Sequence, residues 1–146
     1  MKYKFLLLFS FFAKFCIAQH FELNGKASNI HNEPIYLYYL NAAGKPVHDT
    51  AMISSAGKFS FKGEIDGPTM SYLSYGKAVS VDDPNIVNFF IDPGTMTLRL
   101  SKNKFKDAVI TGSETQSLYR QLEQKKKPIY ASLNKMAAPL KNEKNK

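Results

Sequence analysis

Three histidines, a short acidic cluster and a group of tyrosines are the side chains here that could do chemistry. His20, His31 and His48 could ligate a metal or move a proton. None has metal-ligand spacing to another, and zinc would then need carboxylates brought in by the fold. Asp82-Asp83 with Asn85 matches part of a calcium-loop pattern, but that pattern's glycine and closing glutamate are absent, so plain turn chemistry fits better. Asp49-Thr50 has no base or nucleophile beside it, and its plainest role is bonding to nearby backbone. No Gly-x-Ser-x-Gly elbow and no phosphate-cradling glycine loop occurs. These patterns supply no catalytic residue, no metal site and no cofactor site.

Tyr36, Tyr38, Tyr39, Tyr72 and Tyr75 are the better binding candidates. Exposed, they would form a platform for sugars or for a partner protein. Buried, they would supply bulk to a core in a chain without tryptophan. Tyr36 and Tyr38 share one face of a strand with Leu40, which points to burial.

The elements that must position these residues are strands. Gly57-Lys58-Phe59-Ser60-Phe61-Lys62-Gly63 alternates aromatic and polar side chains between glycines, so Phe59 and Phe61 face a core and Lys58, Ser60 and Lys62 face outward. His20–Ser28 alternates likewise and should bend at Gly25. Ile35–Leu40 is apolar or aromatic throughout, as in a central strand. Val47–Ser54 and the Phe59/Phe61 strand are joined closely enough to predict an antiparallel hairpin. Met70–Tyr75, Ile86–Ile91, Thr95–Leu100 and Phe105–Thr111 follow, with Asp92-Pro93-Gly94 as a turn and Ile86–Ile91 expected to be buried on both faces. About seven or eight short strands spaced this way predict an all-β fold, an antiparallel sandwich of two sheets.

After Gly112 the period changes. Ser113 and Gln116 form a capping box at a helix start. Leu118 and Leu122 make an apolar stripe, Glu123 can pair with Lys127, and Pro128 should end or kink the helix. Ile129, Leu133, Met136 and Leu140 continue a helical stripe that Pro139 should fray, and the last six residues look disordered.

Residues 1–18 combine a basic start, a short apolar run and Cys16-Ile17-Ala18 as a small-x-small cleavage site, the pattern of a secretory signal peptide. The run is too short for a transmembrane span. Cys16 invites a lipid-anchored reading, but Lys14-Phe15 stands where a small residue is needed. Cleavage removes the chain's one cysteine, leaving no thiol or disulfide. The expected organisation is a signal peptide over 1–18, a β-sandwich over 19–112 and a helical, lysine-rich tail over 113–146, in a protein exported to the periplasm or cell envelope. The net charge of +8 divides unevenly: 1–18 carries +3, 19–124 carries −1 and 125–146 carries +6. A neutral body argues against a nucleic-acid partner. The basic tail fits a solvated helix, or contact with anionic surfaces.

Asp49-Thr50, Gly57–Gly63, Phe89-Phe90-Ile91-Asp92-Pro93-Gly94 and Val109-Ile110-Thr111-Gly112-Ser113, in this order, resemble a β-rich domain of unknown function. That domain typically precedes a thioredoxin-like thiol–disulfide reductase domain in exported proteins of Gram-negative bacteria. The resemblance spans about residues 20–128, and no Cys-x-x-Cys follows it here. It implies a non-catalytic accessory module that docks another exported protein or self-associates. Two alternatives remain: a reductase lacking its catalytic domain, and a carbohydrate-binding module using surface tyrosines.

Overall fold

Period-two alternation carries through into burial along most strands, so one face of each sheet is apolar and the two apolar faces must cover one another. A computed structural model of the chain describes residues 18–76 and 83–143. Residues 1–17, which include Cys16 and most of the expected signal segment, residues 77–82, which include Asp82, and residues 144–146 lie outside the described residues. The strands are β1 (Gln19–Ser28), β2 (Pro34–Leu40), β3 (Pro46–Met52), β4 (Lys58–Ile65), β5 (Thr69–Tyr75), β6 (Ile86–Ile91), β7 (Gly94–Ser101) and β8 (Val109–Thr111). A helix, α1 (Glu114–Glu143), follows them. Two four-stranded sheets result, β4-β1-β7-β8 (the first sheet) and β3-β2-β5-β6 (the second).

The fold is the expected β-sandwich, with one exception in the pairing. β1 and β7 run parallel, so the first sheet is mixed. β6 belongs to the second sheet and β7 to the first, and the Asp92-Pro93-Gly94 turn carries the chain across between them. That crossing lays β7 beside β1 in the same direction.

The expected β3–β4 hairpin does not form: β3 pairs with β2, and β4 pairs with β1. Ile53 explains the difference. It is fully buried, its N–H donates to the Glu33 carbonyl, and its own carbonyl accepts from the Asn32 N–H. The chain is pinned into the core just after β3 and turns from there into the other sheet. The hairpin formed instead is β2–β3, through Asn41–Lys45, whose Asn41 Oδ1 accepts from the Ala43 and Lys45 amides.

Gly25 does not bend β1, which pairs continuously with β4 and β7 through this position. It is a glycine because the Phe59 ring lies across it, where a Cβ would overlap the ring atoms. Phe59 and Phe61 are buried as expected and meet edge to face at 6.0 Å. Phe105–Asp107 forms a 3-10 turn ahead of a shorter last strand. β6 is an edge strand with Asn88 exposed, so it is not buried on both faces throughout.

The helix start is held from three directions. The Gln116 N–H donates to Ser113 Oγ at 2.9 Å, the forward half of the capping box. The Gln116 side chain does not return the bond; its Oε1 accepts from the Phe90 N–H in β6 at 2.9 Å. Asp92, from the β6–β7 turn, accepts the Thr115 N–H at 3.0 Å, placing a carboxylate at the positive end of the helix. Arg120 adds a bond to the Ala108 carbonyl at 2.9 Å.

Beyond these first turns α1 leaves the sandwich. It continues through Pro128 and Pro139 as one 30-residue element, so neither proline ends it. Proline removes one backbone donor and crowds the preceding turn, yet the helix is not divided by that loss. Glu123 pairs with Lys126 at 2.8 Å rather than with Lys127. Leu118, Leu122, Ile129, Leu133 and Met136 are exposed, so this stripe does not pack on the sandwich. No helix among the described residues is long and apolar enough to cross a membrane.

Candidate binding face

The five tyrosines divide by strand parity. On β2 the inward residues are Ile35, Leu37 and Tyr39, and Tyr36, Tyr38 and Leu40 point outward. On β5, Leu73 and Tyr75 turn toward the core and Tyr72 turns out. Tyr39 is therefore a core residue, edge to face with Phe21 at 5.2 Å, and Tyr75 packs half-buried against the core with Lys102 over its ring at 5.3 Å. Neither belongs to a surface platform. Tyr36 and Tyr38 do not share the burial expected from the exposed Leu40 beside them; both are half-buried on the outer face.

One row of the second sheet's outer face is aromatic. In register across the strands stand His48 on β3, Tyr38 on β2, Tyr72 on β5 and Asn88 on β6. The Tyr38 and Tyr72 rings stack at 4.3 Å with planes 9° apart, and His48 meets Tyr38 at 4.5 Å and 66°. Strands lie about 4.8 Å apart, so stacking at this spacing stands the two rings upright on the sheet rather than flat on it. Beside the row, Leu40 and Met70 are each 50% exposed, and Met52, 61% exposed, lies further along β3 opposite Pro34. A hollow of about 180 Å³ runs among Tyr38, Leu40, Pro46, His48, Met70 and Tyr72. The Tyr72 hydroxyl titrates above the ordinary tyrosine value, mainly through burial and secondarily through Tyr38 beside it.

The band continues toward the helix. Phe90 on β6 faces the same way as Met70, and Tyr119 of α1 meets its ring at 5.6 Å. From the sequence, His48 drew notice only as a possible metal ligand or proton carrier and Leu40 only as a sign of burial, and Met52, Met70 and Phe90 were not singled out for a binding face. The signal available was β3's own alternation, which sets Pro46, His48, Thr50 and Met52 on one side.

The catalytic patterns stay apart. Asp49 accepts the Thr50 N–H at 2.8 Å, as its backbone-bonding role requires. Asp83 accepts the Asn85 N–H at 2.7 Å, an Asx turn. His20 stands 3.6 Å from Glu64 on the opposite sheet from His48. No group of three or more His, Cys, Asp or Glu that could hold a metal occurs among the described residues.

Tyr39 provides a test of the core assignment. Burial, then Asp49 and Glu64 nearby, raises its hydroxyl above the usual 10.0. The folded chain therefore holds this proton more tightly than the unfolded one. That contribution to stability is complete below 10.0 and is lost as pH rises through the raised value. Tyr39→Phe is expected to flatten the alkaline decline in urea-unfolding free energy between about pH 9 and 12. An equally steep decline in the variant would assign it to another group.

No curated protein matches the chain. Among solved structures, the solution structure of the CBM25-1 of a β/α-amylase from Paenibacillus polymyxa aligns with a TM-score of 0.48 and 18% identity, covering 66% of this chain and 94% of that one. A family profile matches residues 21–119, from β1 through the anchored start of α1. The chain thus belongs to the family described as Domain of unknown function (DUF4369).

Proposed function

We propose that the chain is a non-catalytic binding module whose second sheet docks a protein partner through its outer face. The observation that carries this reading is the exposure of Leu40 and Met70, with Phe90 opposite Met70, beside the Tyr38/Tyr72/His48 row. Contiguous apolar surface of this kind marks interaction sites, and tyrosine and methionine are enriched at the centres of protein interfaces. Sugar stacking needs an open ring face. Tyr38 has Tyr72 on one side and His48 on the other, so it offers an edge and a hydroxyl instead. Those suit hydrogen bonding at the rim of an apolar contact.

The partner we infer is another exported protein, and a thioredoxin-like reductase domain is the first to try, given the sequence resemblance. Calorimetric titration of the chain with such a domain from the same envelope tests both points. Met70→Lys with Tyr72→Ala is expected to weaken binding by about tenfold or more, with the fold intact by circular dichroism. Unchanged affinity would remove this face from the interaction. Absence of binding to any reductase domain, with sedimentation showing self-association that the same variant abolishes, would keep the face and reassign the partner to a second copy.

A further inference from the structure

The outer face of the first sheet is polar, and its rows differ in how charge is matched. Glu22 on β1 opposes Lys62 on β4 and pairs with it at 3.4 Å, and His20 opposes Glu64 at 3.6 Å. Four residues beyond Glu22 along β1, Lys26 stands opposite Lys58 on β4 and, on its other side, opposite Arg99 on β7. Three cations thus lie abreast on three adjacent strands, all exposed. None has an ion pair among the described residues. Asp107 shares the next hollow with Arg99 and Lys104, one acid to two cations.

Like charges directly opposite each other on a sheet are destabilising. The body of this chain is almost neutral, with ten basic and eleven acidic residues over 19–124, so the row reflects placement rather than a general excess. The next row is neutral and polar, with Ser60, Asn24, Thr97 and Thr111 in register, the two threonine hydroxyls 2.6 Å apart. The three cations, with Asn24 and Thr97 of the polar row, line a shallow groove of about 390 Å³.

We propose that this groove binds an anionic polysaccharide, with Lys26, Lys58 and Arg99 on its carboxylate or sulfate groups and Asn24 and Thr97 on its hydroxyls. Strands about 4.8 Å apart space the cations at a distance comparable to the repeat of an extended pyranose chain, so successive charged sugars meet successive cations. Phe59 lies at the floor of the groove but is 6% exposed, so the face offers no exposed aromatic ring for the base stacking that single-stranded nucleic acid would use. It is also on the opposite sheet from the proposed protein-docking face, so the two readings stand or fall separately.

The test is a binding titration of the full mature chain at low salt with polygalacturonate oligosaccharides and, separately, heparin oligosaccharides. The two probes distinguish carboxylate from sulfate recognition. At least one is expected to bind with an affinity that falls as salt rises. Lys26→Gln with Lys58→Gln and Arg99→Gln should weaken that binding by about tenfold or more, and Lys62→Gln by under about threefold. The triple variant should melt at or above the parent's temperature, because repulsion is relieved; the single variant Lys26→Gln serves if it does not fold. The basic helix is controlled by Lys125→Gln with Lys126→Gln and Lys127→Gln. Loss of binding in that variant with retention in the sheet triple variant would overturn the proposal. Absence of binding to both probes, or equal binding of single-stranded DNA or anionic lipid vesicles, would also overturn it.

Discussion

Phe61→Ala is expected to lower the unfolding free energy by about 3–5 kcal/mol. Its ring is 2% exposed, lies in the one contiguous core, and meets Phe59 edge to face. Truncation removes the transfer free energy of the ring and leaves a cavity between two sheets that are each tied by their own ladders. Such a site collapses poorly, so the cost should fall in the upper part of that range. Chemical denaturation measures it directly. A loss below about 0.5 kcal/mol would mean that the residue is at the surface, and the strand's inward face would have to be reassigned.

Gly25→Ala is expected to cost about 1–3 kcal/mol, from overpacking rather than from lost contacts. The added Cβ would overlap the Phe59 ring, which must leave its place over β1. The decisive experiment is the double-mutant cycle. In a Phe59→Ala background the three ring atoms nearest the new methyl group are gone, so the same substitution should become nearly neutral, giving an interaction energy of about 1–3 kcal/mol. Equal costs in the two backgrounds would show that Gly25 is required for its backbone rather than for the ring above it.

The strands were legible in the sequence because alternation between glycines is local information. The Phe59/Phe61 strand, the Met96/Leu98/Leu100 face and the Asp92-Pro93-Gly94 turn are all found where their patterns place them. Sheet membership was not legible. The short link after β3 fits a hairpin and a crossing equally well, and the buried Ile53, bonded to backbone at Asn32 and Glu33, decides for the crossing. The candidate face was hidden for a related reason. Ile-Tyr-Leu-Tyr-Tyr-Leu is apolar or aromatic at every position, so it has no period from which parity can be read. The local β2–β3 hairpin sets His48 beside Tyr38, but the stacking of Tyr38 on Tyr72 depends on a register between strands well apart in sequence. Gln116 shows the same limit at the helix: its capping-box spacing is local, but the Phe90 amide it accepts from is brought by the fold.

The parallel pairing of β1 with β7 bears on the order in which the chain can assemble. β1, at Gln19–Ser28, is the first strand among the described residues, yet it lies inside its sheet, between Lys58–Ile65 and Gly94–Ser101. A nascent chain that has reached β6 has all four strands of the second sheet in hand, but β1 still has an open side. Closing that side joins segments more than seventy residues apart, the kind of non-local pairing that slows folding. Until β7 is made, the unpaired backbone of β1 is an edge on which another chain could add a strand. Completion of the first sheet is therefore a late event, and the vulnerable intermediate is one in which the first strand made still lacks its second neighbour.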